Sequence, residues 1–178
     1  MSKYFNSNIK INKKRLIKSI YKMAKIGQLN NGGCRRLAFS EEDFKAKKLL
    51  INWCTEIGLN VSIDPIGNLF AELKGKIKNN KSIGIGSHLD TQPHGGKFDG
   101  AYGVLAGLEV IRTLVDNNIV PPKSIKLINW SNEEGCRFTP PLMGSSVYAK
   151  SIKLNHALKT LDMNHLKIEN ELQKKLLL

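Results

Sequence analysis

The sequence predicts an α/β domain on a largely parallel sheet, and three observations carry that prediction. Two short apolar segments, SIGIGS (82–87) and SIKLINW (124–130), flank an apolar helical stretch, AYGVLAGLEVIRTLVDN (101–117). Strands joined by a helix read as a βαβ unit, whose strands run parallel. Two helical patterns and a pair of short strands precede this unit, and 178 residues are enough for one domain with a core.

The elements follow in order. Ile11, Leu16, Ile20, Met23 and Ile26 recur at helical spacing with lysines between them, which predicts a helix over 9–27 that Gly27 can end. A loop, QLNNGGCRRLAF, comes next. Ser40 then precedes Glu41, Glu42 and Asp43, an N-cap with acids at the positive end of the helix dipole. That helix is predicted to reach about Ile57, with Gly58 as its stop. Residues 60–64 and 68–73 read as strands around the turn Asp64-Pro65-Ile66-Gly67, and a polar turn, KGKIKNNK, follows. The next strand, 82–87, ends at His88, and the strand over 124–130 ends at NEEG (132–135). Short helical patterns lie around Leu154–Leu161 and Ile168–Leu177.

Composition narrows the function classes. Hydrophobic residues make up 41 %, which argues against a disordered chain. No apolar run approaches the roughly 18 residues of a membrane helix, and MSKYFNSNIKIN has no apolar signal core. Cys34, Cys54 and Cys136 form no CxxC pair, so a disulfide framework is not expected and a reducing cytoplasm is. The net charge of +13 invites a nucleic-acid reading. Its distribution argues otherwise: residues 1–50 carry 13 basic and 3 acidic side chains, residues 51–135 carry 8 and 9, and residues 136–178 carry 7 and 3. The excess sits on the N-terminal helical region, where Lys at helical spacing reads as a solvated face. Neither nucleic acid nor membrane is expected as a partner.

Two motifs carry chemistry: GSHLDTQPHGGKFDG (86–100) and NEEG. Both lie where predicted strands end, the edge at which open α/β sheets bind ligands. Imidazole nitrogen and carboxylate oxygen suit borderline-hard divalent ions, so His88, Asp99 and Glu134 are metal ligands by type. Asp99, with two oxygens, is the candidate to bridge two ions. Glu133, beside a ligand but pointing elsewhere, is the candidate proton shuttle. Asp90, two residues after His88, can accept a hydrogen bond from the second imidazole nitrogen and fix the ring. Gly95, Gly96 and Gly100 allow the loop to fold tightly. A strand-end histidine alone is usually structural, and a Glu-Glu pair in a loop is usually solvated. The joint occurrence is what points to a metal site. His94 reads as a loop residue, and the cysteines and Trp53 and Trp130 as packing residues.

With these motifs the chain resembles the N-carbamoyl-L-amino-acid hydrolases, with β-ureidopropionase and allantoate amidohydrolase as close relatives, within the co-catalytic metallopeptidases and amidohydrolases. The likeness runs from about residue 13 to 175 through IGQLNNGGCRRLAFSEED, DPIGNLFAELKG, GSHLDTQPHGGKFDGAYGVLAGLEVIRTL and NWSNEEGCRFTPPLMGSSVYA. It implies a three-layer α/β/α, zinc-peptidase-like fold with a mixed, mostly parallel sheet. It implies two divalent ions (zinc, or manganese, cobalt or nickel), with His88 on one ion, Asp99 bridging, Glu134 on the other, Glu133 as general base and Asp90 orienting His88. It also implies a non-proline cis peptide at Asp99–Gly100. Ten residues separate His88 from Asp99, a compact spacing that looks like the carbamoylase branch. The implied reaction is hydrolysis of an N-carbamoyl-L-amino acid, or a related ureido acid, to amino acid, carbon dioxide and ammonia. Family members continue with a histidine in an HIEQG-like segment, a dimerisation (lid) domain that makes a homodimer, and a distal histidine. Residues 1–178 are therefore expected to form a partial, truncated catalytic domain, inactive by itself.

Overall fold

The computed structural model describes residues 9–77 and 81–174. Asn12 accepts the Arg15 amide at 3.0 Å and caps α1 (Lys13–Ala24), which is shorter at both ends than the apolar spacing predicts. Ser40 accepts the Asp43 amide at 3.3 Å and caps α2 (Glu41–Thr55), as expected. Strands β1 (Asn60–Ile63) and β2 (Leu69–Leu73) are joined by a turn in which the Asp64 carboxylate accepts the amides of Ile66 and Asn68. Then come β3 (Ile83–His88), α3 (Ala101–Asp116) and β4 (Ile125–Trp130). Three short helices follow: α4 (Met143–Tyr148), α5 (Leu154–Leu158) and α6 (Ile168–Gln173). The last residues of the helical pattern over 168–177 lie outside the described residues.

The sheet is mixed, with strand order β1-β2-β4-β3. β3 and β4 run parallel across α3, as the βαβ reading requires, while β1–β2 and β2–β4 are antiparallel. The parallel share is thus smaller than expected, one pairing of three among the described residues. The reason is the connection: a parallel pair needs a crossover of a dozen or more residues, and β1 turns straight back into β2.

Alternation along the strands puts Leu69, Ala71 and Leu127 on one face, in a single core with Leu16, Ile20 and Met23 of α1, Leu50 and Trp53 of α2, and Leu105 and Leu108 of α3. Helices α1, α2 and α3 therefore share that face. On the opposite face Phe70 and Trp130 meet Tyr148 of α4, with ring centroids 5.6 and 5.3 Å from the tyrosine. The resemblance implies helical layers on both faces, and α4 makes this contact on the second face. A smaller core of Phe39, Ile66, Phe138, Met143, Ile168 and Leu172 seats the C-terminal helices beside the main one. Among the described residues no helix is long and apolar enough to cross a membrane.

Candidate metal centre

Parallel pairing builds the site. His88 is the last residue of β3 and lies in register with Trp130, the last residue of β4. The segments leaving these two strands therefore emerge side by side, with the start of α3 beside them. After β4, Asn132 adopts a left-handed backbone (φ 51°), and its side-chain amide donates to the carbonyls of Phe138 (2.7 Å) and Pro140 (3.2 Å). That turn delivers Glu133 and Glu134 to the end of β3.

The carboxylate of Asp90 holds them there. One oxygen accepts the Glu133 amide at 3.3 Å and the other the Glu134 amide at 3.2 Å. Asp90 is 2 % exposed. Burial, and then the nearby Asp43 carboxylate, push its carboxyl up to about 6, against the pull of His88 and the two amides.

The His88 ring is fixed through Nδ1, which lies 2.9 Å from the main-chain carbonyl of Asp90. The Asp90 carboxylate is further away, at 3.7 Å. The orienting bond thus comes from the backbone of Asp90 rather than from its side chain, because the chain leaves extended geometry at His88 and strand alternation no longer aims the side chain. A carbonyl only accepts, so Nδ1 carries a hydrogen, and in the neutral ring Nε2 presents a lone pair. That lone pair faces Glu133 Oε2 at 3.3 Å and Asp99 Oδ1 at 3.9 Å.

Ligand atoms of His88, Glu133 and Glu134 all fall within 4.8 Å of one another. Asp99 stands at the rim, its side chain 57 % exposed, outside that set. The sequence reading separates Glu133, as base, from the ligands; the structure brings it in among them. Gly100 completes the site by omission. Its φ of 60° and ψ of −53°, with the Ala101 amide donating to the Asp99 carbonyl, turn the chain sharply into α3. A Cβ at position 100 would lie 2.5 Å from three atoms of the His88 ring. The Asp99–Gly100 peptide is trans, contrary to the expected cis bond; among the described residues the cis peptide is Thr139–Pro140.

Whether these residues fit a divalent cation follows from their unmet valence. Glu134 Oε2 accepts from the Gln92 side chain at 3.1 Å, while Glu134 Oε1 is buried without a partner. A buried carboxylate oxygen needs a donor or a cation. In the neutral ring, an imidazole lone pair set against two carboxylates is repulsive unless a positive charge lies between them. Nitrogen plus carboxylate oxygen is also the donor set divalent ions accept. The residues fit the group.

Sequence reasoning misses Gln92, whose position carries no local signal, and leaves Arg36 without a role. Arg36 is fully buried, which a charged residue inside CRRLAF hints at only when its apolar neighbours are taken as core. Cys136, exposed, donates weakly to the Glu134 carbonyl at 3.7 Å; Cys34 and Cys54 are buried, and all three are free thiols.

Residues 68–172 match the model of peptidase family M28. The chain is 40 % identical over 167 residues to an N-carbamoyl-L-amino-acid amidohydrolase of Rhizobium meliloti, covering 94 % of this chain and 40 % of that protein. It is 35 % identical over 123 residues to the allantoate amidohydrolase of Bacillus subtilis, covering 69 % and 30 %. Among solved structures, a hydantoinase/carbamoylase family amidase from Burkholderia ambifaria superposes with a TM-score of 0.92 at 44 % identity, covering 94 % of this chain and 41 % of that one. The chain thus spans about two fifths of the length of the Rhizobium meliloti and Burkholderia ambifaria relatives, and less of the Bacillus subtilis one.

Proposed function

The chain belongs to peptidase family M28, and on that premise we propose that it forms part of the catalytic domain of a metal-dependent hydrolase of linear amide C–N bonds. The substrate class we assign is an N-carbamoyl-L-amino acid, which with one water gives the amino acid, carbon dioxide and ammonia. Similarity to the Rhizobium meliloti amidohydrolase supports that class; similarity to the Bacillus subtilis enzyme makes allantoate, with β-ureidopropionate, the alternative ureido acid. The observation that carries the reading is that ligand atoms of His88, Glu133 and Glu134 lie within 4.8 Å of one another, and the buried, unpartnered Glu134 Oε1 adds to it.

We assign the site two divalent ions, zinc or else manganese, cobalt or nickel, which His88, Glu134 and Asp99 would hold. Bound there, such cations polarise a carbamoyl carbonyl and acidify a water. The remaining work falls to the chain. Glu133 takes the water's proton and returns it to the departing nitrogen. The Asp90 carbonyl keeps His88 in the tautomer that leaves Nε2 free, and the Asp90 carboxylate keeps the two glutamates in place. Gly100 leaves room for the ring. Three free thiols support a reducing, cytoplasmic setting, and the resemblance supports a homodimer.

Titration of metal-free protein with Zn²⁺ or Co²⁺ tests the site. Saturable binding that E134A weakens by about 10–100-fold supports it; no binding removes the metal reading. Ammonia release from N-carbamoyl-L-amino acids, β-ureidopropionate and allantoate by the metal-loaded chain then selects the substrate. Tight metal binding without ammonia from any of the three would favour the reading of another class, a catalytically inactive fragment.

A further inference from the structure

Arg36 lies between α1 and α2, and its side chain is fully buried. Among the described residues no carboxylate pairs with it. Its guanidinium donates to main-chain carbonyls instead: Nε to Leu89 at 3.0 Å, and Nη1 to Ile26 at 3.0 Å and to Met23 at 3.5 Å. The other Nη is buried without an acceptor. The backbone of Arg36 adds two bonds. Its amide donates to Thr91 Oγ1 at 2.8 Å, and its carbonyl accepts the Thr91 amide at 2.8 Å. Arg36 thus grips the residues on either side of Asp90, and Asp90 fixes the His88 ring and both glutamate amides.

Burying a guanidinium away from any carboxylate sacrifices its hydration for bonds to neutral carbonyls, and an apolar side chain of similar volume would avoid that loss. What arginine offers here is geometry. Its rigid planar fork reaches two chain segments at once, the end of α1 and the turn after β3. A lysine ammonium is a point charge on a flexible stem and cannot hold both in fixed relation.

We infer that Arg36 is a positioning residue of the metal centre: it locks the turn Leu89–Thr91 and through Asp90 sets both the His88 imidazole and the Glu133–Glu134 loop. The inference rests on the metal reading proposed above. It goes beyond that reading by giving the site a support that touches neither metal nor substrate.

The test compares R36K and R36M with L50A, a substitution at a fully buried core position of α2. Three measurements are made: Co²⁺ affinity, the visible spectrum of bound Co²⁺, and hydrogen exchange of the Glu133 and Glu134 amides in metal-free protein. R36K and R36M are expected to bind Co²⁺ about 10–100-fold more weakly, with an altered spectrum. They are also expected to speed exchange at Glu133 and Glu134 relative to the rest of the chain. L50A is expected to speed exchange broadly while keeping the wild-type Co²⁺ spectrum and affinity. Free guanidinium added to R36A should restore Co²⁺ affinity. R36K with wild-type Co²⁺ affinity, spectrum and relative exchange would overturn the inference and leave the metal reading standing. Failure of wild-type protein to bind Co²⁺ would instead take down the metal reading, and the inference with it. Should R36M not fold, the R36K comparison decides alone.

Discussion

Two adjacent glutamates do different work because their surroundings differ. Glu134 has one oxygen held by Gln92 and the other buried and bare, whereas the Glu133 side chain is 28 % exposed and leans toward His88. E134Q is therefore expected to weaken metal binding by about 10–100-fold. E133Q is expected to weaken metal binding less than E134Q does and to lower turnover by about 10²–10⁴-fold. Isothermal titration and ammonia release separate the two. At position 100 an alanine meets both a positive φ and the His88 ring, so G100A should lose roughly 1–3 kcal/mol in thermal denaturation and bind metal more weakly. His88, Glu133 and Glu134 were legible in the sequence because strand ends can be read from apolar runs and parallel strands align their ends. The bonding of Asp90 was not legible. Strand alternation gives the right answer only while the chain stays extended, and here it stops at the preceding histidine.

At the level of elements, local signals placed α2 well and α4 not at all. Ser40 caps α2 as its sequence predicts, and S40A is expected to cost about 1 kcal/mol, read as a shift in the denaturation midpoint. The α4 segment, MGSSVY, is rich in residues that favour turns over helices. No side chain caps it; the amides of Leu142, Met143 and Gly144 at its start donate to the carbonyls of Glu133, Asn132 and Ser131. The helix exists because the glutamate loop offers these acceptors, and no reading of MGSSVY alone reveals that. The sheet shows the same division. The βαβ unit could be inferred because its helix lies in the sequence between its strands. The antiparallel pairing of β2 with β4 joins segments far apart in the chain and leaves no local trace.

Across the whole molecule, Arg137 ties the C-terminal helices to the rest. It donates to Asp162 at 3.0 Å, to Glu171 at 2.9 Å and to the Ala38 carbonyl at 3.1 Å. Burial alone would raise both carboxyls. For Asp162 the Leu166 amide, Arg137 and the Asn164 amide outweigh it, and for Glu171 Lys174 and Arg137 do, so both lie below their usual range. A carboxyl lowered on folding stabilises the fold at pH values above its unfolded pKa of roughly 4, and that contribution is lost as pH falls through the folded value. Wild-type protein should therefore lose stability more steeply than R137M below about pH 5, as followed by circular dichroism. Metal should act in the opposite sense: Zn²⁺ at about 100 times its dissociation constant is expected to add about 2.7 kcal/mol, and EDTA to remove it.

The distribution of thiols turns the molecule into its own clock. Cys136 is open to reagents, whereas Cys34 is sealed, its amide and carbonyl laced to Gly95 and its Sγ donating to the Ala24 carbonyl. A maleimide should modify Cys136 promptly and Cys34 only when the strip carrying Arg36 peels away from the loop after β3. The slow phase of alkylation at Cys34, read apart from that of the other buried thiol, Cys54, would then time the breathing of that seam, with no bound ion and no turnover required.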